Sequence, residues 1–139
     1  MTFECEFPVR FGEIDNAGVV YYPRFFHIFH MAFEEWFGGA LGATYADLVV
    51  RDNIGFPSVK VETEFLAPLR YGESVRVRLE LEEIGRKSIT CRYTMFRLPD
   101  GVEAARARIT TVAIDNDSFK SITIPDEWRE RLQRFKDSE

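Results

Sequence analysis

Between Phe25 and Trp36 the chain carries an aromatic stripe too broad to face water. Phe25, Phe29, Ala32, Phe33 and Trp36 fall at i, i+4, i+7, i+8 and i+11, and Phe26 and Phe37 widen the stripe. Residues at that spacing share one side of a helix. Such a helix is stable only against a large apolar surface. Pro23 suits its first turn, and Gly38-Gly39 and Gly42 are expected to stop it. A second short helix is predicted from Thr44, with Thr44 as N-cap and Asp47 at the third helical position.

The covering surface comes from strands. Phe3, Cys5, Phe7, Val9 and Phe11 alternate with Glu4, Glu6, Pro8 and Arg10, the period of a strand with one buried face. Pro8 marks an edge or a strand end. From Ser58 onward Val59, Val61, Thr63 and Phe65 alternate with charges, as do Val75, Val77, Leu79 and Leu81. Ile89, Cys91, Tyr93 and Met95 repeat the pattern, and Ala105, Ala107 and Ile109 continue into Val112 and Ile114. Gly72, Gly85 and Pro99-Asp100-Gly101 supply turns. Pro125 and Trp128 to Leu132 suggest a final short helix. One strand, one apolar helix and four more antiparallel strands make an α+β domain, a single antiparallel sheet curled around one long central helix.

At 139 residues this is one domain, 1–139, with no internal repeat or linker. Hydrophobic residues at 45% and charged residues at 29% exclude a disordered chain. No apolar run is long enough for a membrane span, and the first residues lack a signal-peptide pattern. Cys5 and Cys91 have no metal-ligand spacing and read as free thiols in a cytoplasmic protein. A net charge of −5 argues against nucleic-acid binding. The charge is uneven: −6 over residues 1–69, +3 over 70–108 and −2 over 109–139. The middle third is a candidate anion-facing surface, or a set of solvated strand faces.

The stretch from Arg10 to Phe26 carries the chemistry. It sets Asp15 in a loop with Gly12 and Gly18, just ahead of the helix that starts near Pro23. A helix N-terminus offers free backbone N–H groups and partial positive charge. Such donors polarise a carbonyl and hold an oxyanion. A carboxylate beside them can attack that carbonyl or activate a water. This is a minimal acyl-transfer site, and equally the geometry of a plain Asx-turn.

Asp15, Gly18, Val19, Val20, Tyr21 and Tyr22, with Phe11-Gly12-Glu13 before and Pro23 after, closely resemble the signature of the 4-hydroxybenzoyl-CoA thioesterase family. The order of elements resembles that family over about residues 3–130. The resemblance implies the hotdog fold and hydrolysis of an acyl-CoA without metal or redox cofactor, coenzyme A being part of the substrate. It implies Asp15 as catalytic carboxylate, Gly18 as the residue shaping its loop and the Tyr22 backbone N–H as carbonyl donor. Arg86, Lys87 and Ser88 resemble the basic turn that meets the CoA phosphates. It also implies a homodimer with joined sheets, or a homotetramer, with the site between subunits. A small aromatic, 4-hydroxybenzoyl-like acyl group is the expected substrate. Short or medium aliphatic acyl-CoA, acyl carrier protein thioesters, and binding without turnover are the alternatives.

Other candidates are weaker. His27 and His30 lie three apart on the helix without a third ligand at usable spacing. Glu34 and Glu35 are reserve carboxylates, since a related branch uses a helix Glu, and otherwise read as surface charge. No Gly-x-Ser-x-Gly motif is present.

Overall fold

A computed structural model describes residues 1–138. Strand β1 (Thr2–Pro8) leads through a 3-10 turn at Phe11–Glu13 and an irregular loop into helix α1 (Pro23–Trp36). Strands β2 (Ile54–Gly55), β3 (Ser58–Phe65), β4 (Ser74–Ile84), β5 (Ser88–Leu98), β6 (Glu103–Val112) and β7 (Ile114–Asp115) follow, then helix α2 (Asp126–Asp137). Five strands form one antiparallel sheet in the order β1-β4-β5-β6-β3, while β2 and β7 pair separately. No helix among the described residues is long and apolar enough to cross a membrane.

The sheet curls around α1 as the aromatic stripe requires. Phe25, Ile28, Phe29, Ala32, Phe33 and Trp36 are buried against Val75, Val77 and Leu79 of β4 and Ile89, Cys91, Tyr93 and Met95 of β5. Burying a large apolar side chain contributes about 1.5–3 kcal/mol, so this stripe dominates the core energetics. Helix α2 closes the far end with Trp128, Leu132 and Phe135, and the Phe135 ring meets Trp36 at 5.3 Å.

Several local expectations need correction. Gly38-Gly39 does not end the helix, which widens into a π-helical turn at Phe37–Leu41 and stops at Gly42, φ +79°. Gly39 is needed for packing: a Cβ there would sit 2.6 Å from the Phe3 ring. Phe11 leaves the β1 alternation for the 3-10 turn and is 71% exposed. On β6 the inward period runs on to Thr111 and Ala113, which are buried, rather than to Val112 and Ile114. Strand β3 has no buried face: Val59, Val61 and Phe65 are exposed, because the described residues leave this strand, one of two edges of the sheet, largely uncovered. The Thr44 cap is as expected, with Asp47 N–H donating to Thr44 Oγ1 at 3.1 Å and Thr44 N–H to Asp47 at 3.0 Å.

The basic middle third is largely neutralised. Arg76 pairs with Glu6, Arg78 with Glu4, Arg97 with Asp100, Arg106 with Glu103 and Arg108 with Glu82. Pairing of β4 with β1 makes the first two of these pairs, Arg108 reaches Glu82 across β5, and Arg97–Asp100 and Arg106–Glu103 are three residues apart along the chain.

Candidate active site

The Asp15 loop is built by backbone hydrogen bonds. Asp15 N–H donates to Val19 O at 2.9 Å and Gly18 N–H to Asp15 O at 3.0 Å. Gly18 has φ +81°, a conformation open to glycine at little cost. Val20 is buried, and its N–H donates to Leu69 O at 2.8 Å, which ties the loop to the segment ahead of β4. One carboxylate oxygen of Asp15 accepts the Ala17 N–H at 2.8 Å. The Asx-turn is therefore real, and it leaves the second oxygen free. Asp15 is exposed in a recess of about 300 Å³ shared with Gly12, Glu13, Tyr21 and Arg24.

Tyr22 occupies the N-cap position of α1, and its side chain makes no cap bond. Pro23 has no N–H, Arg24 N–H donates to Tyr21 O and Phe25 N–H to Tyr22 O. Among the described residues no backbone acceptor takes the Tyr22 N–H, so this donor is free at the positive end of the helix. Asp15, Gly18 and Tyr22 are thus gathered by one loop. A carboxylate and an unpaired N–H so arranged can work on a carbonyl set between them.

A second recess, about 200 Å³, lies between α1 and the β6-β3 side of the sheet. Phe26, Phe29, Phe33, Phe56 and Val61 make it apolar. Thr111 Oγ1 is buried beside it without a hydrogen-bond partner. Burial pushes the Tyr93 phenol well above its ordinary pKa, so it stays neutral there.

Arg86, Lys87 and Ser88 lie elsewhere. They follow the opposite end of β4 from the Asp15 loop, roughly 35 Å away at about 3.3 Å per residue. Arg86 donates to Thr123 at 3.3 Å and Lys87 to Ser121 at 3.2 Å. One chain does not bring this turn to Asp15. His27 and His30 lie on different sides of α1, and His30 pairs with Glu34 at 3.7 Å. Glu34 and Glu35 are exposed, roughly 18 Å along the helix from Tyr22 at about 1.5 Å per residue. Sequence reasoning missed Arg24 and Thr111. Strict period-two continuation from Ile109 would have turned Thr111 inward.

The family model for the thioesterase-like superfamily matches residues 9–132. A 1,4-dihydroxy-2-naphthoyl-CoA hydrolase from Synechococcus sp. (strain CC9311) is 32% identical over 124 residues, 85% of this chain and 80% of that protein. The enzyme of that name from Nostoc punctiforme is 31% identical over 137 residues, 96% of this chain and 90% of that protein. A 1,4-dihydroxy-2-naphthoyl-CoA thioesterase structure from Synechocystis superposes with a TM-score of 0.86 at 24% identity, covering 99% of this chain and 100% of that one. The 4-hydroxybenzoyl-CoA thioesterase from Pseudomonas sp. strain CBS-3 superposes at 0.83 with 25% identity, covering 94% and 98%. The 4-hydroxybenzoyl enzyme is therefore a structural likeness, and the named sequence relatives act on a fused-ring thioester. The chain belongs to the thioesterase-like superfamily, as a hotdog-fold acyl-CoA thioesterase.

Proposed function

We propose that this enzyme hydrolyses an aromatic acyl-CoA bearing ring hydroxyl groups, with one ring or two fused rings, to the free acid and CoA. The observation that carries the reading is the free carboxylate oxygen of Asp15 on the loop that ends at the unpaired Tyr22 N–H. Tyr22 N–H holds the thioester oxygen as negative charge develops on it. Asp15 attacks the carbonyl carbon, giving a mixed anhydride that water opens, or takes the proton of an attacking water. In both routes the C–S bond breaks, CoA leaves as the thiol and water supplies the acid oxygen. The chain's own groups suffice for these steps, so we propose no cofactor. Two free thiols support a reducing, cytoplasmic setting.

The apolar recess supports an aromatic acyl group. A dry cavity of about 150 Å³ accepts benzene, and this recess is larger. The unpartnered Thr111 hydroxyl offers a ring hydroxyl its hydrogen bond. The named relatives, hydrolases of a dihydroxynaphthoyl thioester, support the same class.

We propose that the site is completed by a second copy joined along β3. Antiparallel pairing of two β3 edges sets Ser58 of one copy near Phe65 of the other. Phe65 packs on Tyr22, ring centroids 6.0 Å apart. Ser58 pairs with Thr111, whose neighbour Val112 pairs with Ser88. The Arg86–Ser88 turn therefore lies two strand spacings, about 10 Å, from Ser58. The same pairing carries the apolar recess and this basic turn to the Asp15 loop of the other copy.

Asp15→Asn tests the reading. The amide keeps the size but is a poor base and nucleophile. Turnover should fall roughly 10³-fold, about 4 kcal/mol of barrier, with KM nearly unchanged. Normal turnover in Asp15→Asn with loss in Glu34→Gln or Glu35→Gln would move the chemistry to the helix. A panel of hydroxybenzoyl-, hydroxynaphthoyl- and straight-chain acyl-CoA substrates identifies the acyl group.

A further inference from the structure

We propose that a second site, on the β1 side of α1, binds a small aromatic carboxylate. A groove of about 390 Å³ runs there, with Phe7, Pro8 and Met31 as apolar floor and Arg10, Glu13, Arg24 and His27 as polar wall. It lies across the helix from the Thr111 recess. Arg24, His27 and Met31 share one side of α1, and Phe26, His30 and Phe33 the other. The groove and the Asp15 recess have Gly12, Glu13 and Arg24 in common, so they adjoin.

Among the described residues its two arginines are free of carboxylate partners, whereas seven of the fourteen arginines of the chain have one. Arg51, Arg76, Arg78, Arg97, Arg106, Arg108 and Arg131 all pair with carboxylates. Arg10 and Arg24 form no ion pair among the described residues, although the chain carries a net charge of −5. The turn itself explains Arg10. Glu13, its natural partner, accepts the Arg10 backbone N–H at 2.7 Å.

A second copy of this device stands beside it. Arg10-Phe11-Gly12-Glu13 recurs as Arg70-Tyr71-Gly72-Glu73, a short repeat that was not expected. Glu73 likewise accepts the Arg70 backbone N–H, at 2.5 Å, and Arg70 is also without an ion pair among the described residues. The Phe11 and Tyr71 rings meet edge to face at 5.7 Å and are 71% and 59% exposed. In both turns the carboxylate takes the backbone N–H of its own arginine, Glu73 also pairing with Arg97 at 3.7 Å, and neither Arg10 nor Arg70 has an ion pair among the described residues. Arg10 and Arg24 therefore give the groove two guanidinium groups without an ion pair among the described residues, beside the one carboxylate of Glu13.

A flat apolar body with one negative end matches this surface. Phe7, Pro8 and Met31 take the ring, and Arg10 and Arg24 take the carboxylate, a pairing that guanidinium groups favour. Resting on the reaction proposed above, the ligand is the class of acid that the enzyme releases, so the groove is a product-sensing site.

The test is a calorimetric titration of benzoate, and of 2-naphthoate, into the Asp15→Asn variant. Arg10→Gln and His27→Ala, both at exposed positions, are then added singly. Loss of the charged hydrogen bond in Arg10→Gln should weaken binding about tenfold or more. In the active enzyme, benzoate should lower kcat at saturating acyl-CoA. Arg10→Gln should relieve that inhibition, the rate with benzoate being read against the same variant's rate without it. Binding indifferent to Arg10→Gln, no binding at millimolar benzoate, or inhibition abolished by excess substrate would each overturn the proposal. The titration needs no turnover, so it decides the groove even where Asp15→Asn remains active and the reading of Asp15 falls.

Discussion

Thr111 is one of four residues, with Trp36, Thr63 and Arg131, whose buried side-chain polar atom finds no partner among the described residues, and of these it alone lines the apolar recess. It is buried on β6, and its hydroxyl makes no hydrogen bond. Leaving a buried polar atom unpaired costs about 1–3 kcal/mol. A ring hydroxyl in the adjoining recess would recover that cost. Thr111→Val keeps the shape and removes the hydroxyl. It should lower kcat/KM for hydroxylated aromatic thioesters about tenfold, leave the unsubstituted benzoyl thioester nearly unchanged, and not lower stability. Equal losses on both substrates, measured by steady-state kinetics, would assign Thr111 to packing alone.

At the scale of elements, one polar link between α2 and the rest of the domain is a carboxylate, beside the Arg129 and Arg131 bonds to backbone carbonyls. Asp52 accepts Trp128 Nε1–H at 2.7 Å and two bonds from Arg51 at 2.9 and 3.1 Å. These donors hold its carboxyl below the usual carboxylate range, Arg51 contributing most and Trp128 next. A folded-state pKa below the unfolded one means stability that is present above the unfolded value and lost as pH falls through the folded one. The melting temperature should therefore decline below about pH 4, and Asp52→Asn should flatten that slope. An unchanged slope would show that other carboxylates control acid unfolding. The basic turn belongs to this scale too. If Arg86 and Lys87 meet CoA phosphates, replacing both by Ala should raise KM and spare kcat, the mark of uniform binding lost. The effect should shrink at high salt, and an unchanged KM would leave the turn its bonds to Thr123 and Ser121 alone.

For the whole molecule the open question is what covers β3. An exposed apolar edge is a template for pairing with another chain, and Val61 and Phe65 are 45% and 46% exposed. Val61→Lys adds a charge at a site with room for it, so the chain should still fold. It should sediment as a 16.2 kDa species at micromolar concentration, the readout that decides the joint, and lose most activity, because the copies separate and because Val61 also lines the apolar recess. A Val61→Lys dimer of full activity would place the joint elsewhere.

Periodicity made the architecture legible before any coordinates. An aromatic stripe on one helix and alternating strands admit few arrangements besides a sheet wrapped on that helix, because burial must be satisfied locally and globally together. The Asp15 loop was equally legible, since Asp15, Gly18 and Tyr22 lie within one short stretch and their geometry is made by neighbours in the chain. Tertiary structure alone decided what depends on distant pairing. Cross-strand ion pairs to Glu4 and Glu6 offset two charges of the positive middle third, because which carboxylate meets Arg76 and Arg78 is a matter of register. Strand β3 exposes an alternation that reads as buried, while the other edge strand β1 keeps its own, because burial depends on what lies opposite. The roughly 35 Å between Asp15 and Arg86 follows from β4 being one uninterrupted strand, and no spacing along the chain reports it. The twin Arg-aromatic-Gly-Glu turns were in plain view as letters. Only their packing through Phe11 and Tyr71 gave them a meaning.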